Sequence, residues 1–128
     1  MKYYFSKVLS NTDMEKAQER ITAALKEEGF GVLTEIDMSA TLHKKLGVEM
    51  PPYKILGACN PQYAYKAVQA EDKIGLMLPC NVILQQKGQD VEVSAIDPVA
   101  SMQAIENDAL GETATAVREK LQRVIEGL

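Results

Sequence analysis

Residues 74–96 do most to restrict the fold. They hold an apolar run, Ile74-Gly75-Leu76-Met77-Leu78-Pro79-Cys80-Asn81-Val82-Ile83-Leu84-Gln85-Gln86. The polar turn Lys87-Gly88-Gln89-Asp90 follows, and then Val91-Glu92-Val93-Ser94-Ala95-Ile96. Two β-prone segments joined by a short glycine-containing turn form an antiparallel hairpin. Such a hairpin is marginal alone, so it needs partner strands and helices over its apolar face. Pro79 cannot donate to a ladder, so an edge, bulge or bend is expected there.

The remaining segments supply those partners. Residues 3–9 read as a strand rich in aromatic and β-branched side chains. Thr12 and Glu15 form a capping-box pattern. Met14, Ala17, Ile21, Ala24 and Leu25 then recur at helical spacing up to Gly29, with Lys16, Glu19, Arg20 and Lys26 on the outer face. Residues 30–37 read as a second strand and 39–46 as a short helix closed by Gly47. Pro51-Pro52 breaks regular structure, and residues 53–58 read as a third strand. Asn60-Pro61 places Asn at N-cap and Pro at the first helical position. That helix should run to about residue 70, with Ala64, Ala67 and Val68 inward. Residues 74–86 are expected as one strand. Asp97-Pro98 repeats the cap pattern before a short helix to about residue 107. A last helix is expected over 112–126, with Val117, Leu121, Val124, Ile125 and Leu128 as its apolar stripe.

The order β-α-β-α-β-α-β-β-α predicts an α+β fold, a single domain over residues 1–128. The sheet should be mixed or mostly antiparallel, with helices packed on one face. A doubly wound sheet is disfavoured, because no strand-to-helix turn carries a Gly-rich phosphate loop. A chain of 128 residues can bury a core without disulfides or metal.

Charge excludes one class of partner. The net charge is −4, and Lys44-Lys45 is the only adjacent basic pair. Tryptophan is absent and phenylalanine occurs twice. The chain has neither a phosphate-binding footprint nor a base-stacking platform, so nucleic-acid binding is not expected. No apolar run reaches the roughly 20 residues of a membrane span. The first seven residues lack a signal-peptide core, so a cytoplasmic location is expected. Thiols are usually reduced there, and the cysteine spacing fits no common zinc motif.

Both cysteines occur in Cys-Asn pairs, Cys59-Asn60-Pro61 and Pro79-Cys80-Asn81. Period-two alternation groups Cys80 with Leu76, Leu78, Val82 and Leu84. Its simplest reading is a small core residue whose burial makes the thiol inert. Its alternative is a side chain re-aimed by the Pro79 bend. Cys59 lies where a strand meets a helix start. Partial positive charge there favours a thiolate, or a small anionic ligand, although Pro61 removes one N–H donor. Its plainer reading is a small residue at a tight junction. The two thiols would be adjacent on neighbouring parallel strands, whereas an antiparallel arrangement could place them far apart. His43, the only histidine, would complete a three-ligand metal site with Cys59 and Cys80, but nothing in the spacing demands it. Glu35 and Asp37 are best read as a solvated strand face rather than a catalytic pair. The chain carries no Ser/His/Asp signature, Walker loop or His-Glu-x-x-His motif.

Lys45-Leu46-Gly47-Val48, Pro52 to Pro61, Ile74 to Val82 and Ala95-Ile96-Asp97-Pro98 together resemble the domain of unknown function 302 family. With the flanking helices the similarity covers nearly the whole chain. The resemblance implies a compact fold similar to the TATA-box-binding-protein-like class, and a homodimer. It implies no substrate, cofactor or catalytic residue, and a TATA-binding-like topology does not bring DNA binding with it.

The leading functional expectation is a small dimeric ligand-binding or accessory module. Its site would be formed by Cys59, Asn60, Pro61, Pro79, Cys80 and Asn81. The second is a thiol-redox or metal-handling protein using Cys59 and Cys80. The third is a structural or interaction domain whose cysteines only pack.

Overall fold

The structure, a computed structural model, describes residues 2–128. Strand β1 (Tyr4–Leu9) is followed by helix α1 (Met14–Glu27), β2 (Gly31–Asp37) and α2 (Met38–Leu46). Next come β3 (Tyr53–Cys59), α3 (Pro61–Ala70), β4 (Cys80–Lys87) and β5 (Asp90–Ile96). Helices α4 (Pro98–Ser101) and α5 (Asp108–Glu126) complete the chain. The strands form one sheet in the order β1-β5-β4-β3-β2, and every neighbouring pair is antiparallel. The expected α+β class is the one adopted.

The 80–96 hairpin occupies the middle of the sheet. Gly88 at its turn has φ +63°, a conformation that costs glycine little. Alternation sends Cys80, Val82 and Leu84 of β4, Val91, Val93 and Ala95 of β5, and Leu56 and Ala58 of β3 to one face. There they meet Ala17, Ile21 and Leu25 of α1 and Val117, Leu121, Val124 and Ile125 of α5. Each large aliphatic side chain buried this way contributes about 1.5–3 kcal/mol. The opposite face carries Tyr4, Val8, Ile36, Ile55, Ile83 and Ile96, aligned across the ladders. Val8 and Ile36 are exposed there.

Several local expectations are corrected. The N-cap of α1 is Asp13, not Thr12: its carboxylate accepts from the Lys16 amide at 2.8 Å. Thr12 is buried, and its hydroxyl donates to the Ser10 carbonyl. On α3, Val68 is exposed, and the inward residues are Tyr63, Ala64 and Ala67. Tyr63 packs on the main core because α3 lies against α5 as well as beside the sheet.

Residues 74–86 are not one strand. Ile74–Met77 forms a single 3-10 turn, Leu78-Pro79 is a cis peptide, and β4 begins only at Cys80. Leu76 is 86% exposed, so the alternation inferred for it fails upstream of Pro79. The missing proline N–H agrees with pairing to β3 that starts at Ala58↔Cys80.

Helix α4 stops at Ser101. Helix α5 starts at Asp108 rather than 112, where the Asn107 side chain accepts from the Leu110 amide at 3.2 Å. The added turn brings Leu110 into a second apolar cluster with Ala67, Ile74, Met102 and Ala114.

Candidate functional site

The Cys59 and Cys80 segments meet at one end of the sheet. Cys59 is the last residue of β3, Cys80 is the first of β4, and Ala58 pairs with Cys80. The strands are antiparallel, yet the cysteines come together. Shortening β4 at Pro79 leaves both at the same sheet end.

A cavity of about 320 Å³ lies between this sheet end, α3 and α5. Cys59, Asn60, Pro79 and Cys80 line it, so four of the six expected site residues share one space. Phe30, Tyr63, Met102 and Leu110 are among its apolar walls. Pro61 is exposed at the start of α3, outside the lining. Asn81 is also exposed and pairs across the ladder with Gly57.

The two thiols differ in their surroundings. Neither is bridged; Cys59 is half-buried and Cys80 is buried. Burial, reinforced by Cys59 nearby, pushes the Cys80 thiol up to about 11. Cys80 is therefore protonated at neutral pH and a poor nucleophile, as its apolar strand face implied.

Asn60 has another task besides marking the start of α3. Its side chain makes no cap bond to that helix. Instead Nδ2 donates to the Glu28 carbonyl at 3.2 Å, satisfying an acceptor at the end of α1. Gly29 has φ +87°, and a Cβ there would lie 3.1 Å from Asn60 Nδ2. The Glu28 carboxylate accepts from Arg123 at 2.9 Å and lies 3.8 Å from Lys120. The Arg123 hydrogen bond holds this carboxyl below its ordinary range. The cavity wall is thus tied through Asn60 to the joint between α1 and α5.

Gly57 was not singled out by sequence reasoning. A Cβ on it would lie 2.6 Å from Pro79 Cγ and 2.2 Å from Thr34 Oγ1. The Pro79 ring therefore packs onto bare backbone, which sets the bend leading into Cys80. A glycine inside a strand pattern is the signal that marks such an approach.

The other polar candidates have structural partners. Lys54 donates to Glu35 at 2.7 Å, and Asp37 caps α2 by accepting from Ala40 at 2.9 Å. These bonds are the leading cause of the lowered pKa of each carboxylate. Asp97 accepts from the Val99 amide and from Arg118 Nε, both at 3.0 Å, so its cap reading holds. His43 is exposed on α2 and does not line the cavity. Among the described residues, no three or more His, Cys, Asp or Glu side chains are grouped to hold a metal. The site combining His43, Cys59 and Cys80 is not assembled. No helix among the described residues is long and apolar enough to cross a membrane.

Residues 5–128 match the family described as "Domain of unknown function DUF302". The chain belongs to the DUF302 family. Its fold is similar to that of an uncharacterized conserved DUF302 protein from Bacillus stearothermophilus, known from a crystal structure. The TM-score is 0.89 at 27% identity, with 98% of each chain covered. No curated protein matches this DUF302 chain.

Proposed function

We propose that this DUF302 protein is a homodimeric module that binds a small apolar molecule in the cavity beside Cys59 and Cys80. The supporting observation is the cavity itself: about 320 Å³, with no Lys, Arg, Asp, Glu or His in its lining. Specific small-molecule sites are commonly apolar spaces of roughly 300–1,000 Å³ with a few placed polar groups. Here those groups are Asn60, Thr113, the Tyr63 hydroxyl and the two thiols. A helix start alone suggests an anion, but this lining supplies no cationic partner, so an apolar occupant fits better.

Calorimetry and thermal melts with benzene and indole test the reading, with inorganic phosphate as the anionic comparison. Benzene or indole should bind and raise Tm, as any ligand selective for the native state must. Phosphate should do neither. Ala64→Leu, on the half-buried side of α3, should retain the fold by circular dichroism and abolish the apolar response. Failure of both apolar probes, or equal binding by Ala64→Leu, overturns the reading.

Dimerisation is proposed through the open sheet face. Tyr4, Val8, Ile36, Ile55, Ile83 and Ile96, interspersed with Ser6, Asn81, Gln85, Glu92 and Ser94, give it a partly apolar surface that could stack on a second sheet about 10 Å away. Sedimentation equilibrium should give twice the chain mass. Ile83→Lys should give a folded monomer, because it puts an unpaired charge on the face that the dimer would bury. A monomeric wild type rejects the dimer without touching the cavity.

A thiol-redox role is the second reading, favoured by the placement of both cysteines on one cavity. Burial of Cys80 opposes it, since a protonated thiol exchanges slowly.

A further inference from the structure

We propose that the cavity captures its apolar ligand covalently, Cys59 adding through sulfur to an α,β-unsaturated carbonyl compound. This rests on the ligand-binding reading and names the chemical class of the ligand.

Three observations lead to it. The lining contains two thiols and no charged side chain. Cys80 is only 8% exposed, free, and faces the same space as Cys59. The cavity reaches the surface beside Leu33, which is 68% exposed. An apolar molecule therefore enters a compartment whose strongest nucleophile is sulfur. A polarisable thiolate reacts best with a soft carbon, and an enone supplies one on an otherwise apolar body.

The step balances without another reagent. The Cys59 S–H proton passes to solvent. The sulfur lone pair forms a C–S bond at the β-carbon. The C=C π pair moves to the carbonyl as an enolate, and the α-carbon takes a proton from water. No group leaves and nothing is oxidised. Binding in the cavity raises the effective concentration of the alkene at sulfur.

The two cysteines then have separate roles. Cys80 is deeper and its thiol is held protonated, so it forms wall rather than bond. The lining has no carboxylate, imidazole or amine to act as general base for hydrolysis or release. The expected outcome is one stable adduct per chain, as in a sensor or scavenger, rather than turnover.

N-cyclohexylmaleimide and N-carboxymethylmaleimide test this, since they share one electrophile and differ in charge and apolar bulk. Each rate is divided by that reagent's rate with free cysteine. The folded wild type should take one cyclohexyl adduct, located at Cys59 by peptide mass. Its normalised rate should exceed that of the anionic reagent by about tenfold, equivalent to burying on the order of 50 Å² of apolar surface. Cys59→Ser should show no adduct. Cys80→Ala should still be modified, and Ala64→Leu should lose the preference for the apolar reagent. Modification at Cys80, or equal normalised rates for both reagents, overturns covalent capture. If the wild type binds benzene or indole yet takes no adduct at Cys59, covalent capture fails while the binding reading stands; if the wild type binds neither, the binding reading has failed separately.

Discussion

Replacing Gly57 with alanine will destabilise the protein by about 1–3 kcal/mol, the usual range for forcing an extra carbon into a packed site. The new Cβ would lie 2.2 Å from Thr34 Oγ1 and 2.6 Å from Pro79 Cγ. Both separations are far inside van der Waals contact. Thr34 is exposed and can turn its hydroxyl away. Pro79 cannot, because its ring is closed on the backbone. The relaxation must therefore move the Pro79 segment, and with it Cys80 and one cavity wall. Urea melts should show a lower midpoint at unchanged slope. Binding of benzene or indole should weaken in the same variant. A second substitution, Thr34→Ala, should recover only part of the loss, since the ring contact remains. A Gly57→Ala protein of wild-type stability, or full rescue by Thr34→Ala, would refute the packing role assigned to Pro79.

Alkaline titration should expose Cys80 as a single-residue effect of up to about 3 kcal/mol, at 1.36 kcal/mol for each pKa unit. The thiol ionises at 9.0 in its ordinary state and at about 11 in the folded protein. Between those values the folded chain holds a proton that the unfolded chain has released. Its contribution to stability is therefore fully present below 9.0 and lost as pH rises through about 11. The informative quantity is the difference between wild type and Cys80→Ala, in which contributions common to both chains cancel. The variant should be less stable at neutral pH, through lost packing, and should converge on wild type as the solution becomes alkaline. Parallel stability curves across that window would show that Cys80 is not held protonated by burial.

Legibility varied with the range of the interaction. The hairpin, the αL glycine closing α2 and the stripe of Val117, Leu121, Val124 and Ile125 depend on residues close in sequence, so periodicity and caps revealed them. The cap of α1 moved by only one position, from Thr12 to Asp13. Pro79 signalled a break, but hydrophobicity favoured carrying the strand back to residue 74. Backbone pairing overruled it, since the proline has no N–H to give and Leu76 points into solvent. Val68 failed for a similar reason: an apolar residue on a helix is buried only where something covers it, and α5 covers Tyr63, Ala64 and Ala67 instead.

The candidate site divides in the same way. The sequence by itself determined that the only two thiols stand beside prolines, at a strand end and after a chain break. It also determined that Cys80 joins Val82 and Leu84 on an apolar face. Only the tertiary structure decided that Cys59 and Cys80 line one cavity, that Pro61 and Asn81 stand outside it, and that His43 is elsewhere. Strand register decided the first of these, through Ala58↔Cys80. The Pro79 ring packs against Gly57, a contact between residues distant in sequence that depends on β3 and β4 coming together. Periodicity describes the face a residue occupies within its own element. Which faces then enclose a space depends on the pairing of separate elements.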